Sequence, residues 1–308
     1  MAIAAADFNF VRELVLRASA IVIGPGKEYL VETRLAPLAK MEGFASIEEL
    51  IRKLRTTGST MLEGKVVDMM TTNESSFFRD LHPFDALRKT LIPGLIEKAG
   101  INRTLNIWCA ACSSGQEPFS IAMLLRDHFP QLNNWMVNIV ATDISPTMLE
   151  RARSGIFNQI EVNRGLPAPM LVKHFTKADG LWKVREDILK MVTFRELNLI
   201  RPWVGLPKCD LVFCRNVLIY FDAATKSDIL KRIRTVLKPE GYLFLGGAES
   251  TLGLDDAYKR TTFERAVCYQ APAANAAGTV NVPAFGNGGA QAAPARPSLF
   301  TRPIAMSA

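Results

Sequence analysis

The chain has 308 residues, 48% hydrophobic and 22% charged, with a formal net charge of +7 and a pI near 9.2. A chain of that size and apolar content builds a substantial core and divides into about two domains. No apolar run approaches the roughly 18 residues of a membrane span, and the N-terminus lacks a signal-peptide pattern, so the expected compartment is the cytoplasm. The five cysteines, an odd number lying in apolar runs, are expected as reduced core residues rather than disulfides. His82, His128 and His174 stand far apart with no metal-ligand spacing, and no metal is expected. The positive charge points to an acidic partner, and about half of the excess falls between residues 151 and 190, which makes it a local feature.

Residues 1–72 read as an all-α N-terminal domain. Asp7 is placed to cap a helix whose face is Val11, Leu14, Val15 and Ala18, and Gly24-Pro25-Gly26 is expected to end it. A second helix carries Val31, Leu35 and Leu38, with Pro37 expected to kink or shorten it. Ser46-x-x-Glu49 and Thr60-x-x-Glu63 have the form of capping boxes, each ahead of an apolar stripe. Residues 73–103 read as a linker and a leading helix. The stretch Thr71 to Asp80 sets small polar side chains, two adjacent phenylalanines and one arginine between the helical bundle and the sheet domain. By composition it is an ordinary linker, although polar residues at a domain junction are well placed to line a pocket.

Leu105, Ile107 and Cys109 alternate in a short run of buried-strand composition, succeeded by very small residues from Ala110 to Gly115. Glu117-Pro118 then opens a helix carrying Phe119, Ala122, Met123 and Leu125. Strand, tiny-residue loop and helix form the first unit of a doubly wound nucleotide-binding sheet, whose small side chains let a ligand lie against the turn. Cys109-Ala-Ala-Cys112 also has the spacing of a thioredoxin-like redox pair. No helix N-terminus adjoins the thiols to lower their pKa, and no second pair completes a zinc site. Asp127 to Trp135 reads as a loop. Val137, Ile139 and Val140 form a second strand ending at Asp143, where an acid grips adenosine ribose hydroxyls. The competing role for Asp143 is a helix N-cap, which Ser145 before Pro146 fills better. Because Asp143 ends a strand, its replacement by alanine is expected to leave folding nearly intact.

Pro146 to Arg153 reads as a short helix. Residues 154–190 interrupt the α/β alternation and include a hairpin, with Leu181 to Val184 alternating apolar and basic residues. Val192 to Phe194, Asp210 to Cys214 and Gly241 to Leu245 continue the sheet, and a helix presents Ile229, Ile233, Val236 and Leu237. Phe263 to Gln270 is expected as a last, antiparallel edge strand. Residues 271–308 are rich in Ala, Pro, Gly and Asn without periodicity and read as a disordered tail.

The motifs Thr-Thr-Asn73-Glu-Ser75-Ser-Phe-Phe-Arg79, Ser-Ser-Gly-Gln-Glu117-Pro-Phe-Ser-Ile-Ala, Ala-Thr-Asp143-Ile, Asn198-Leu199, Cys-Arg-Asn216-Val217-Leu-Ile-Tyr220-Phe and Gly-Tyr-Leu-Phe-Leu-Gly-Gly-Ala-Glu-Ser occur in this order. Together they resemble the S-adenosylmethionine-dependent chemotaxis receptor methyltransferases of the CheR type, across residues 7 to 270. The resemblance implies an α/β fold: a Rossmann-like class I methyltransferase sheet over 104–270, with a small antiparallel β-subdomain inserted at 154–190 and an all-α domain in front. Carried over position by position, Asn73, Ser75, Arg79, Glu117, Asp143, Asn198, Leu199, Asn216 and Val217 would contact S-adenosyl-L-methionine or its product S-adenosyl-L-homocysteine. Position 75 is often Thr in the family, and Ser keeps the hydroxyl. Arg79 and Tyr220 would be the catalytic residues, nearest the transferred methyl. The implied partner is the cytoplasmic helical bundle of a chemoreceptor, methylated on glutamate side chains by a monomeric enzyme that neither inserts in membranes nor binds nucleic acid.

Such chemistry suits the residues that are missing. A carboxylate is ionised at neutral pH, so methyl transfer from a sulfonium needs no paired His or carboxylate as general base. Nucleic-acid methyltransferases are the main rival on this sheet, but those acting on base amines carry Asn/Asp-Pro-Pro-aromatic where Cys214-Arg215-Asn216-Val217 stands. A second rival, a cofactor-binding regulatory module, has no need of both Arg79 and Tyr220. Some family members tether to a peptide at the receptor C-terminus through a Gly-x-Gly insertion in the β-subdomain hairpin. The short Ala178-Asp179-Gly180 turn lacks it, so no tethering is expected.

Overall fold

The computed structural model describes residues 3–273, and the expected tail lies outside the described residues except at 271–273. Four helices come first: α1 (Ala5–Ser19), α2 (Glu28–Met41), α3 (Ile47–Thr57) and α4 (Thr60–Met70). Their apolar stripes close a core of their own around Val11, Val15, Val31, Leu35, Leu50, Ile51 and Val66. Several local details differ from the sequence expectations. Asp7 lies inside the first turn of α1, where it pairs with Arg55 at 2.9 Å, and the helix stops at Ala20 in the left-handed conformation, ahead of Gly24. Pro37 stays inside α2, costing one intrahelical bond without ending the helix. Ser46 caps α3 as expected, but α4 is capped by Ser59, not Thr60.

The leading segment is helical from α5 (His82–Ala86) through a π-turn at Leu87–Leu91 into α6 (Ile92–Ala99). Next come β1 (Thr104–Ala110), α7 (Gln116–His128), β2 (Met136–Asp143) and α8 (Pro146–Ser154). The expected loop at 127–135 is partly helical: α7 keeps Asp127 and His128, and a 3-10 turn covers Pro130–Asn134. The insertion holds β3 (Ile156–Phe157), α9 (Gln159–Asn163), α10 (Ala168–His174), β4 (Phe175–Ala178), β5 (Leu181–Val184) and α11 (Glu186–Leu189). Its three strands form a separate antiparallel sheet in the order β3-β5-β4. The main sheet resumes with β6 (Val192–Glu196), β7 (Cys209–Cys214), α12 (Ala223–Val236), β8 (Leu237–Leu245), β9 (Lys259–Phe263) and β10 (Ala266–Gln270). Two strand expectations are corrected here. β8 begins at Leu237 rather than Gly241, because Leu237 pairs with Cys209 across a bulge. The single strand expected over 263–270 is a hairpin, whose β10 pairs with β8 and leaves β9 at the edge.

The seven-stranded sheet runs β6-β2-β1-β7-β8-β10-β9, parallel up to β8 and antiparallel beyond it. From β1 the chain builds outward to β2 and β6, then returns to place β7 on the other side of β1. One face packs against the leading helices, α7 and the insertion; the other packs against α12. The two adjacent phenylalanines of the linker divide the work. Phe77 meets Phe157 and Phe175 of the insertion edge-on at 5.0 and 5.7 Å, while Phe78 meets Phe84 of α5 at 5.0 Å. Gly165 completes the seat of the insertion on the linker. It has φ +90°, and a Cβ there would overlap the Phe77 carbonyl oxygen, so only glycine fits.

Candidate active site

A pocket opens outside the carboxyl ends of the parallel strands, where the strand order reverses between β1 and β7, the place at which doubly wound sheets bind ligands. All ten residues singled out in the sequence line it: Asn73, Ser75, Arg79, Glu117, Asp143, Asn198, Leu199, Asn216, Val217 and Tyr220. Its floor is the turn after β1, where Ala111 and Ser113 both have positive φ. Only side chains this small leave room for a ligand against such a turn.

Asp143, at the end of β2, is 5% exposed, and burial pushes its carboxyl above the ordinary range. Two backbone amides counter that: Ser113 N–H donates to Oδ2 at 2.7 Å and Ser145 N–H to Oδ1 at 2.9 Å. Ser145 itself caps α8, as expected. These two bonds weigh against the expectation that Asp143→Ala spares the fold. The substitution strands two amides, each worth about 1–3 kcal/mol when left unpaired. Both the melting point of the free protein and its affinity for S-adenosylhomocysteine should fall. Scanning and titration calorimetry would measure the two, and an unchanged affinity would remove Asp143 from the site.

Glu117 stands in the first turn of α7, and burial raises its carboxyl pKa despite the neighbouring Arg215. The Arg215 side chain is 2% exposed and is the hub of the pocket wall. Its Nη1 donates to Glu117 Oε2 at 2.9 Å, and its Nη2 donates to Asp80 Oδ2 at 2.6 Å and to the carbonyl of Arg79 at 3.0 Å. Phe78, Asp80 and Leu81 have φ of 47°, 68° and 46°, so Arg79 sits in a strained run. Among the described residues the Arg79 guanidinium makes a single long hydrogen bond, 3.3 Å to the carbonyl of Glu74.

Asn216 has φ 58° and is strapped to the end of β8. The Glu249 carboxylate accepts from the amides of Asn216 (2.7 Å), Gly246 (2.6 Å) and Ile219 (3.2 Å). Asn198 spends both ends of its carboxamide on structure: Nδ2 donates to the Ala18 carbonyl at 2.8 Å, and Oδ1 accepts from the Ile200 amide at 3.1 Å. Asn73 is tied at its carbonyl by Ser113 Oγ at 2.9 Å. The backbone of Tyr220 accepts from Val22 N–H at 2.9 Å, which brings the end of α1 to the mouth.

Five contributors escape a reading of the sequence. Ser19 at the end of α1 and Ile21 just beyond it line the pocket, and no local pattern marks them. Arg34 of α2 holds the approach by donating to the carbonyls of Met70 and Thr71, both at 2.7 Å. Arg215 and Glu249 lie within family motifs without being marked for a role; for Arg215, a charge at the exit of a wholly buried strand is the available signal. Burial pushes both the Cys109 and Cys112 thiols well up, the opposite direction to that of a reactive pair.

Residues 6–71 match the all-alpha domain of the CheR methyltransferases, and residues 73–267 match their SAM binding domain. The chain belongs to the CheR methyltransferase family. The chain is 44% identical over 276 residues to Chemotaxis protein methyltransferase 1 of Pseudomonas aeruginosa, covering 88% of this chain and 100% of that protein. It is 43% identical over 270 residues to Chemotaxis protein methyltransferase Cher2 of Pseudomonas putida, covering 86% and 98%. The pocket of this CheR methyltransferase suits S-adenosylmethionine. Asn216 Oδ1 and Arg215 Nε are buried without a partner among the described residues, orphans of the kind a ligand satisfies. No helix among the described residues is long and apolar enough to cross a membrane.

Proposed function

We infer that the protein methylates glutamate side chains in the cytoplasmic helical bundle of chemoreceptors, forming methyl esters. The observation that carries this reading is Arg79. It is a cation in the pocket with one long hydrogen bond among the described residues, which leaves most of its five donors to orient an acceptor carboxylate. S-adenosylmethionine supplies a methyl already activated by its sulfonium. Asp143 would hold the ribose hydroxyls, and the small Ala111–Ser113 turn would lie against the adenosine. The Tyr220 ring would shape the space around the methyl. Arg79 would strip water from the incoming carboxylate and align it for in-line attack, which is the part of the barrier the protein must lower. No proton needs to be removed, which accords with a pocket whose carboxylates, Glu117 and Asp143, are both held by donors.

Incubation with label-bearing cofactor and receptor cytoplasmic fragments should place label on the receptor, and mild alkali should release it as methanol. Alkali-stable label would point to a different acceptor atom and overturn the glutamate assignment.

The same reading includes an untethered encounter. Asp179 and Gly180 have φ of 51° and 76°, the signs of a two-residue type I′ turn, with no residues to spare for a peptide-binding loop. A receptor lacking its C-terminal peptide should be methylated as fast as the intact one. The rate should also fall as added salt shortens the Debye length below its physiological value of about 8 Å. Micromolar binding of the free C-terminal peptide would end this part of the proposal.

A further inference from the structure

A second cleft lies against the outer side of the pocket wall and takes no part in the transfer described above. It is bounded by Asp80–Pro83, by the end of β8 at Gly246–Ser250 and by the β9–β10 hairpin, and Arg215 borders both cavities. Consecutive residues face the two spaces: Arg79 lines the pocket and Asp80 the cleft. The strap made by Glu249 also joins them, since this residue lines the cleft and its carboxylate holds the amide of Asn216 in the pocket.

The cleft is cationic. Arg260 on β9 and Arg265 in the hairpin turn line it, both exposed, and neither side chain has a hydrogen bond or an ion pair among the described residues. The acids around them are already engaged. Asp80 is held by Arg215 at 2.6 Å, Glu249 by three backbone amides, and Glu264 by Lys89 at 3.0 Å. Edge strands often carry basic residues simply to discourage pairing with other chains. That role is served by side chains pointing into solvent, whereas these two line a concavity whose floor includes Pro83, Ala266 and Val267.

We propose that this cleft receives a second acidic side chain of the acceptor protein, about one helical turn from the glutamate being methylated. The proposal rests on the glutamate reading above. On a helix, residues three or four apart lie on one face with Cβ atoms about 5–6 Å apart. A helix laid across the shared wall therefore offers one carboxylate to Arg79 and another to Arg260 and Arg265. Acceptor sites with an acid at that spacing are preferred over sites with a neutral residue there.

The test uses the full-length enzyme and a receptor cytoplasmic fragment. In Arg260→Glu/Arg265→Glu, affinity for S-adenosylhomocysteine and kcat should be unchanged, while KM for the fragment rises about tenfold, the scale of two exposed charge pairs lost. Arg260→Lys/Arg265→Lys should recover most of that loss. Independently, changing the fragment's acids three and four positions from the acceptor glutamate to glutamine should raise KM for the wild-type enzyme. The same fragment should raise it little further for the charge-reversed enzyme, as coupled partners require. An unchanged KM in both arms, with the wild type active, overturns the cleft and leaves the glutamate reading standing. A wild-type enzyme that labels no receptor fragment overturns both.

Discussion

Arg215→Ala should cost about 3–5 kcal/mol of stability, as removal of one member of a buried charge network does elsewhere. The side chain is 2% exposed and its charge is opposed by Glu117 at 2.9 Å and Asp80 at 2.6 Å. Its loss leaves Glu117 charged in a site that already disfavours charge, since burial holds that carboxyl above its ordinary range even with the guanidinium present. That fixes the sign of the pH dependence. A carboxyl whose folded-state pKa lies above the unfolded value destabilises the fold once it ionises, and costs nothing when protonated in both states. The deficit of Arg215→Ala against wild type should therefore shrink as pH falls through the raised folded-state range of Glu117, and the share due to Glu117 should be gone before the ordinary glutamate range near about 4.3 is reached. Urea unfolding of the two proteins at several pH values would measure this. Arg215→Lys provides a folded companion: it keeps one charge but cannot reach Glu117, Asp80 and the Arg79 carbonyl together. A deficit that stays constant with pH would show that Glu117 is not the group left stranded.

Arg79→Ala should lower single-turnover methylation of a receptor fragment by about 10²–10³-fold, the scale of losing one preorganised donor at a reacting centre. Affinity for S-adenosylhomocysteine should change far less, because on the proposed reading the main task of Arg79 is to anchor the acceptor. The backbone around Arg79 is strained and fixed from three sides. Ser120 Oγ accepts the amide of Phe78 at 3.0 Å, Arg215 donates to the Arg79 carbonyl, and Phe77 is packed into the insertion. The alanine variant keeps all of these, so its fold should survive and the kinetic loss can be read cleanly. Tyr220→Phe should be milder, since the ring remains. Near-normal turnover by Arg79→Ala would make the residue structural.

The parts of the site that the sequence discloses are those built from adjacent residues. Asp143 and Glu117 are legible because a strand, a run of tiny residues and a helix start succeed one another along the chain. Arg215 is not, because its partners Glu117 and Asp80 lie 98 and 135 residues away. Asn198 shows the same limit from the other side: its position is marked by a motif, but its bond to the Ala18 carbonyl spans 180 residues. Local details escape where two neighbouring residues compete for one role. Ser59 and Thr60 both offer a hydroxyl, and the extended backbone at Ser59 decides which one caps α4. Strand β9 is hidden because its Lys-Arg-Thr-Thr-Phe run has no apolar period of its own and is defined by pairing with β10. The amide bonds of Asp143 are hidden for a related reason, since Ser113 N–H reaches the carboxylate only in three dimensions.

The seat of Gly165 under the Phe77 carbonyl has a consequence for anyone wishing to re-address this enzyme to another acceptor protein. The insertion has one fixed end and one spare end. Near residue 165 a single methyl group would push on the backbone two residues before Arg79, so exchanges there would disturb turnover. At the β4–β5 hairpin, a side chain added at Gly180 meets nothing within 4 Å. A foreign recognition loop spliced between Ala178 and Leu181 would thus be a graft on a free branch, leaving the trunk that carries the chemistry undisturbed.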